Sequence, residues 1–315
     1  MRALVTGVAG FIGSHLAERL LADGADVIGI DCFTDYYARS IKEQNLTQPR
    51  AHPRFRFIEA ALQQADLPRL LDGVTHVFHL AAQAGVRKSW GRDFQIYTVN
   101  NIEATQALLE AVIDRPIDRV VYSSSSSVYG DAASIPMREN ALPQPVSPYG
   151  VTKLAAEQLC YLYYANFGVP TVSLRYFTVY GPRQRPDMGF HRFTTAALAN
   201  RPIPIYGDGE QTRDFTFIAD AVAANVSAAR RGIAGGVYNI GGGSRVSINH
   251  VLDTIQELVG RPLTRRHEPP QKGDMRDTYA DTSLARADLG FMPQVSLEQG
   301  LESEYRWLST APALQ

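Results

Sequence analysis

Two side chains in the middle of this chain are spaced for proton chemistry. Tyr149 and Lys153 stand in the run Ser147-Pro148-Tyr149-Gly150-Val151-Thr152-Lys153. At i and i+4 they share one face of a helix. A free tyrosine has a pKa of about 10 and is a poor base at neutral pH. A positive charge held close stabilises the phenolate and lowers that pKa. Tyr149 could then take a hydroxyl proton while the carbon beneath it gives up hydride. Upstream lies a run of serines, Ser123 to Ser127, which with Tyr122 follows the apolar Val120-Val121. A serine hydroxyl opposite the tyrosine would align the substrate oxygen or relay its proton. A lone YxxxK more often marks an ordinary amphipathic helix, so the rest of the chain has to supply a hydride acceptor.

The N-terminus supplies one. The apolar run 3–5 leads into Thr6-Gly7-Val8-Ala9-Gly10-Phe11-Ile12-Gly13 and then a helical pattern. Strand, tight turn and helix with glycines at these spacings form a dinucleotide-binding fingerprint. Gly7 allows a sharp turn, Gly10 allows a pyrophosphate to approach, and Gly13 allows close helix–strand packing. Unpaired N–H groups at the helix start would meet the phosphates. A second apolar run, 27–30, ends in Asp31. An acid roughly 20 positions after the glycines binds a ribose 2′-hydroxyl and repels a 2′-phosphate, which favours NAD over NADP. Tyr149, Lys153 and the serines would then meet a nicotinamide whose positive ring helps to lower the phenol pKa.

Stepping outward, apolar runs at 3–5, 27–30, 55–59, 77–80, 119–123 and 171–174 alternate with helical patterns near 12–22, 67–71, 94–113 and 148–167. That alternation predicts an α/β fold, a Rossmann-like doubly wound parallel sheet with ligands at the strands' carboxyl ends. The stretch 177–216 is rich in Pro, Gly, Arg and aromatics and reads as irregular loops around one helix near 191–199. A helix at 218–230 and a strand at 237–240 return to the sheet, and helices at 248–258 and 297–308 close the chain. The expected division is 1–176 plus about 214–241 for the cofactor, and 177–213 plus 242–315 for a smaller C-terminal α/β substrate lobe.

Composition narrows the partners. With 315 residues and 45% apolar content the chain can bury a large core. A net charge of −1 without a basic stripe argues against nucleic acid. No apolar run reaches about 18 residues, so no membrane span is expected. Cys32 and Cys160 lie far apart and outside any CxxC, as free thiols of a reducing cytoplasm do. The seven histidines form no metal-ligand cluster.

Together TGxxGFIG, the serine-rich strand end before Val128-Tyr129-Gly130, and YxxxK resemble the extended short-chain dehydrogenase/reductases that modify nucleotide sugars. The resemblance covers nearly the whole chain. It implies Ser125, Tyr149 and Lys153 as the catalytic trio. It places NAD against Gly7, Gly10, Phe11, Ile12, Gly13 and Asp31, and against the segment Leu80, Ala81, Ala82 and Gln83. Asn100 matches a structural and cofactor asparagine, and Ser123 and Tyr176 join the cofactor set. One departure stands out. Where the family places an adenine-contacting Asp, this chain has Glu59-Ala60-Ala61-Leu62, and Ala61 cannot make that contact. Family members are usually homodimers through a helix bundle, for which 94–113 and 148–167 are the matching segments.

Within that family, oxidation at C4 leads to 4-epimerisation, 4,6-dehydration or decarboxylation. Dehydratases carry Asp-Glu after the catalytic Ser/Thr, and decarboxylases carry Glu just before VYG. Here the residues are Ser126-Ser127, without a carboxylate. Return of the hydride to the other face is then the simplest fate. Arg213, Asp274 and Arg276 resemble the family residues that grip UDP, with the two arginines on the diphosphate. Gly181-Pro182-Arg183-Gln184-Arg185-Pro186-Asp187-Met188, with Thr178 upstream, resembles the UDP-glucuronate 4-epimerase branch. Arg185, Ser126 and Ser127 would hold the C6 carboxylate, with Arg87 as a further candidate. A 4-keto uronate is a β-keto acid and loses CO2 most easily when its carboxylate stands perpendicular to the carbonyl plane, so a firm grip near that plane also suppresses the loss. UDP-glucose or UDP-N-acetylhexosamine 4-epimerisation is the alternative. Decarboxylation and a non-catalytic NAD-binding sensor rank behind it.

Overall fold

The computed structural model describes residues 1–131 and 134–310. Twelve strands are present among them: β1 (Arg2–Thr6), β2 (Asp26–Asp31), β3 (Phe55–Glu59), β4 (His76–His79), β5 (Arg119–Ser125), β6 (Thr171–Tyr176), β7 (Thr178–Tyr180), β8 (Ile203–Tyr206), β9 (Thr212–Phe217), β10 (Val237–Ile240), β11 (Arg245–Ser247) and β12 (Arg265–Glu268). Seven of them form one sheet in the order β3-β2-β1-β4-β5-β6-β10. Every neighbouring pair is parallel. Successive connections step outward from β1 to β3, then restart at β4 on the other side of β1. Such a reversal opens a crevice beyond the carboxyl ends of the strands, where ligands bind.

Helices cover both faces, so the central strands read as near-continuous apolar runs rather than alternating ones. On one face the helices Phe11–Ala22 and Ile218–Arg231 pack with Leu16, Leu20, Ala221 and Val222 in the core. The opposite face is covered by Ala104–Val112 and Pro148–Phe167, which contribute Leu108, Val112, Ala156 and Cys160. The Pro148–Phe167 helix has clear local signals. Pro148 occupies its first turn, the Ser147 side chain accepts from the Gly150 N–H at 3.1 Å, and Gly168 ends it in the left-handed region at φ 69°.

Two expectations needed correction. The stretch 177–216 holds three short strands, β7, β8 and β9, besides its helix Gly189–Leu198. Their partners are remote in sequence. β9 lies between β7 and β11, and β8 pairs with β12. Local pattern does not reveal such pairings. The helix expected over 94–113 is interrupted by a π-helical turn, Thr98–Glu103, of a kind often found beside functional sites. A separate cluster built on Phe190, Ile203, Phe215, Val251, Leu252 and Leu301 supports the smaller sheets.

Candidate active site

A cavity of about 860 Å³ runs along the carboxyl ends of β1, β2, β4, β5 and β6 and under the smaller sheets. Its first end is the glycine turn. Gly7 has φ 68°, and a Cβ there would lie 2.8 Å from the Ala81 backbone nitrogen. A Cβ on Gly13 would lie 2.2 Å from the Gly7 carbonyl oxygen, so Gly13 makes room for the turn itself. Gly10 caps the Phe11–Ala22 helix without a side-chain hydrogen bond, and no acid stands in the first turn. Gly10, Phe11, Ile12 and Gly13 at its start line the cavity, and a helix start of this kind suits a pyrophosphate. The Asp31 carboxylate accepts from the Ala9 N–H at 3.1 Å and the Phe33 N–H at 2.9 Å. Burial raises its pKa against these donors and the nearby Lys42. Lys42 is itself buried in the lining and donates to the Thr34 carbonyl at 2.5 Å.

Leu80, Ala81, Ala82 and Gln83 line the adjoining wall. Thr6 Oγ1 accepts from the Leu80 and Ala81 N–H groups and fixes this segment to β1. Asn100 lines the cavity, but the structural duty expected of it falls to its neighbour. Asn101 is buried, accepts from the Gln83 N–H at 2.7 Å, and donates to the Gln83 carbonyl and to Thr152 Oγ1. Near the matching adenine position Ala61 and Gln63 both line the cavity, and Gln63 Nε2 donates to the Val99 carbonyl at 2.6 Å.

β5 runs on to Ser125, so the serines continue the strand instead of following it. Ser125, Tyr149 and Lys153 all line the cavity wall. Ser125 lines the wall beside Tyr149, and the Tyr97 ring packs edge-on to the Tyr149 ring with centroids 6.3 Å apart. One detail differs from expectation. Burial holds the Tyr149 pKa above its ordinary value, and the cation that opposes this is Arg185. Lys153 lies over the Tyr122 ring, its Nζ 4.6 Å from the centroid. Burial lowers the Lys153 pKa to about 8. Ser123 and Tyr176 complete this wall through a hydroxyl contact at 3.4 Å.

The cavity continues beyond Tyr149. Ser126, Ser127, Thr178 and Arg185 all line it. Arg185 is not a free cation. Its Nε and Nη2 donate to the Asp187 carboxylate at 2.9 and 3.0 Å. Farther along, Arg87 pairs with Asp274 at 2.6 Å and stacks its guanidinium 4.2 Å from the Tyr206 centroid. Arg213 is a half-buried lining residue that donates to the Thr212, Met275 and Arg276 carbonyls. Arg276 does not fit the expected role. Its side chain is 67% exposed, pairs with Asp208 at 3.3 Å and lies outside the lining. The backbone of 275–276, not the second guanidinium, contributes here by holding Arg213.

Residues 3–241 match the family described as NAD dependent epimerase/dehydratase. The chain belongs to that family. A crystal structure of UDP-glucuronic acid 4-epimerase from Bacillus cereus, in complex with UDP-glucuronic acid and NAD, superposes with a TM-score of 0.96 at 46% identity, covering 98% of this chain and 99% of that one. The uncharacterized UDP-glucose epimerase YtcB of Bacillus subtilis is 46% identical over 98% of each chain. UDP-glucuronate 4-epimerase of Thermodesulfobacterium geofontis is 37% identical over 96% of this chain and 95% of its own length.

The chain also carries a support network that was not among the expected site residues. Glu157, one helical turn beyond Lys153, binds Arg175 at 2.6 Å, and both are buried. Ser124 donates to Glu157 at 2.5 Å, and Arg175 Nη1 donates to Tyr129 at 2.7 Å. The signal was available: a Glu at i+4 from Lys153 on its own helical face. A second tether joins the glycine-turn helix to the 181–188 loop. Arg183 pairs with Glu18 at 2.8 Å, and His15 bonds the Pro182 carbonyl at 2.9 Å.

Proposed function

We propose that the protein inverts C4 of a UDP-sugar through a 4-keto intermediate, converting UDP-glucuronate to UDP-galacturonate. Convergence of Arg185, Thr178, Ser126 and Ser127 on the cavity wall next to Tyr149 carries this reading. A guanidinium with three hydroxyls suits a carboxylate at C6. Ser126-Ser127 offers no acid for elimination. The Bacillus cereus relative with UDP-glucuronic acid and NAD bound supports the same choice.

The glycine cradle and Asp31 fit NAD, which when bound supplies the acceptor and then the donor of the C4 hydride. The protein's residues do the rest. Arg213, with Arg87 and Asp274, holds the UDP. Ser125 aligns O4, and Tyr149 takes its proton as the ketone forms. The sugar turns about its link to the diphosphate, and Tyr149 returns the proton to the new hydroxyl. Lys153 keeps positive charge near the phenolate. In this assignment 1–176 with about 214–241 serves NAD, and 177–213 with 242–315 serves the UDP-sugar; residues 311–315 lie outside those described.

A homodimer and a cytoplasmic setting belong to the same proposal. Val151, Tyr161, Leu162 and Phe167 of the Pro148–Phe167 helix and Ile96 near it are exposed apolar side chains, a surface that a second copy would cover. Cys32 and Cys160 are unpaired, in keeping with a reducing compartment. Among the described residues no helix is long and apolar enough to cross a membrane.

One observation favours a second reading, a 4-epimerase of neutral UDP-hexoses: Asp187 already balances the Arg185 charge. NMR of the purified protein with UDP-glucuronate decides between them. UDP-galacturonate as product supports the first reading, and turnover of UDP-glucose alone rejects it.

A further inference from the structure

The Arg185 guanidinium reaches the cavity as part of a three-residue chain. Asp187 takes its Nε and one Nη2 hydrogen in a side-on bidentate pair, at 2.9 and 3.0 Å. That geometry fixes the guanidinium plane and leaves Nη1 without a hydrogen-bond partner among the described residues. Asp187 is fixed in turn by Tyr36, whose hydroxyl donates to Oδ2 at 3.3 Å across 151 residues of sequence. Tyr36 has little freedom of its own. A Cβ on Gly85, where φ is 103°, would lie 2.1 Å from the Tyr36 hydroxyl. Lys88 Nζ lies 4.9 Å from the ring centroid, and the Arg185 guanidinium carbon 5.9 Å. All three members of the chain line the cavity.

Their ionisation matches these roles. Burial, with the Asp187 charge next, raises the Tyr36 pKa, so its phenol remains a donor. Burial disfavours the Asp187 carboxylate, but Arg185's charge and hydrogen bonds more than offset it and hold the group below its ordinary value. An ionised Asp187 leaves Arg185 with a defined orientation and a partly balanced charge. Without Asp187 the guanidinium is a stronger but unoriented cation on a long, flexible stem.

Orientation is what a keto uronate needs. Its carboxylate leaves as CO2 when the C–C bond to it aligns with the carbonyl π system. A cation that only attracts the carboxylate does not control that angle, whereas a guanidinium held in one plane does. We propose that Asp187, braced by Tyr36, is a positioning residue that sets the plane of Arg185 and thereby the ratio of epimerised to decarboxylated product. This rests on UDP-glucuronate being the substrate.

The test follows products by NMR for the wild-type holoenzyme, Asp187→Asn and Tyr36→Phe. Isothermal titration with UDP-glucuronate and with UDP accompanies it. Asp187→Asn is near-isosteric at a part-exposed site, and Tyr36→Phe removes one hydroxyl. In Asp187→Asn, affinity for UDP-glucuronate is expected to fall about tenfold while affinity for UDP stays unchanged. The share of 4-keto pentose is expected to rise at least about fivefold, and Tyr36→Phe to move both in the same direction by about twofold. Slower turnover with an unchanged product ratio in both variants would overturn the proposal and leave Asp187 as fold support. A wild type inert toward UDP-glucuronate would overturn the substrate reading, and the proposal with it. A wild type that makes UDP-galacturonate beside variants with its product ratio would remove the proposal alone.

Discussion

Arg175 Nη2 lies 2.6 Å from Glu157 Oε1, and the two side chains are 4% and 1% exposed. This buried pair joins β6 to the helix that carries Tyr149 and Lys153. Ser124 and Tyr129 occupy further hydrogen-bonding positions on it. Taking two charges out of water is costly, so such a pair is weak support for stability as a whole. Removing one partner is another matter, because it leaves the other charge buried alone. Glu157→Ala is expected to destabilise the fold by about 3–5 kcal/mol, read from guanidinium denaturation. A midpoint equal to wild type would show the pair to be energetically idle.

Tyr149→Phe should abolish turnover while leaving the site intact. The ring still packs against Tyr97, and only the hydroxyl is lost. General acid–base groups contribute about 10²–10⁴-fold, so kcat should fall by at least two orders of magnitude. Affinity for the UDP-sugar, by calorimetry, should change little. A variant with unimpaired kcat would end the assignment of Tyr149 as base.

Gly13→Ala probes the cofactor cradle. The added methyl would stand 2.2 Å from the Gly7 carbonyl oxygen and 2.9 Å from its carbon. Both are backbone atoms and cannot yield without opening the turn. The purified variant should carry much less NAD than wild type, measured by extraction and absorbance at 260 nm. Full NAD content would show that the turn tolerates the methyl and does not set the phosphate site.

Glu304 predicts a pH dependence. Its Oε2 accepts from the Gly181 N–H at 3.0 Å, at the root of the loop that carries Arg185. Burial pushes its pKa up to about 8 from an ordinary 4.5. The folded state thus favours the protonated acid. Below about pH 4.5 both states are protonated, and this group costs nothing. As pH rises from 4.5 toward 8 the unfolded chain ionises first, so stability is lost across that window and the loss is complete above 8. Glu304→Gln keeps an acceptor for Gly181 and removes the titration. Its Tm should exceed that of wild type at pH 8.5 by several degrees, with the gap closing near pH 5. A gap that does not vary with pH would exclude the ionisation as its cause.

Most of the sheet and the centre of the site were legible in the residues alone. The glycine turn, Asp31 at the end of β2, the serines on β5, and Tyr149 with Lys153 are local patterns. They follow from a strand period of two, a helical period of 3.6 and the freedom of glycine at φ 68°. The central strands of the main sheet were marked by apolar runs, because burial on both faces leaves little else, while the edge strand β3, Phe55–Glu59, is only partly buried and mixes apolar with charged residues.

Only the tertiary structure decided which polar groups meet. Whether Arg276 points at the cavity or at Asp208 depends on packing between segments that are 68 residues apart. The order Tyr36 to Asp187 to Arg185, the exchange of the structural role from Asn100 to Asn101, and the pairing of β8 with β12 arise in the same way. Sequence spacing sets which side chains share one strand or one helical face. Loop closure over tens of residues sets which faces come together, and burial then determines the ionisation of what they enclose.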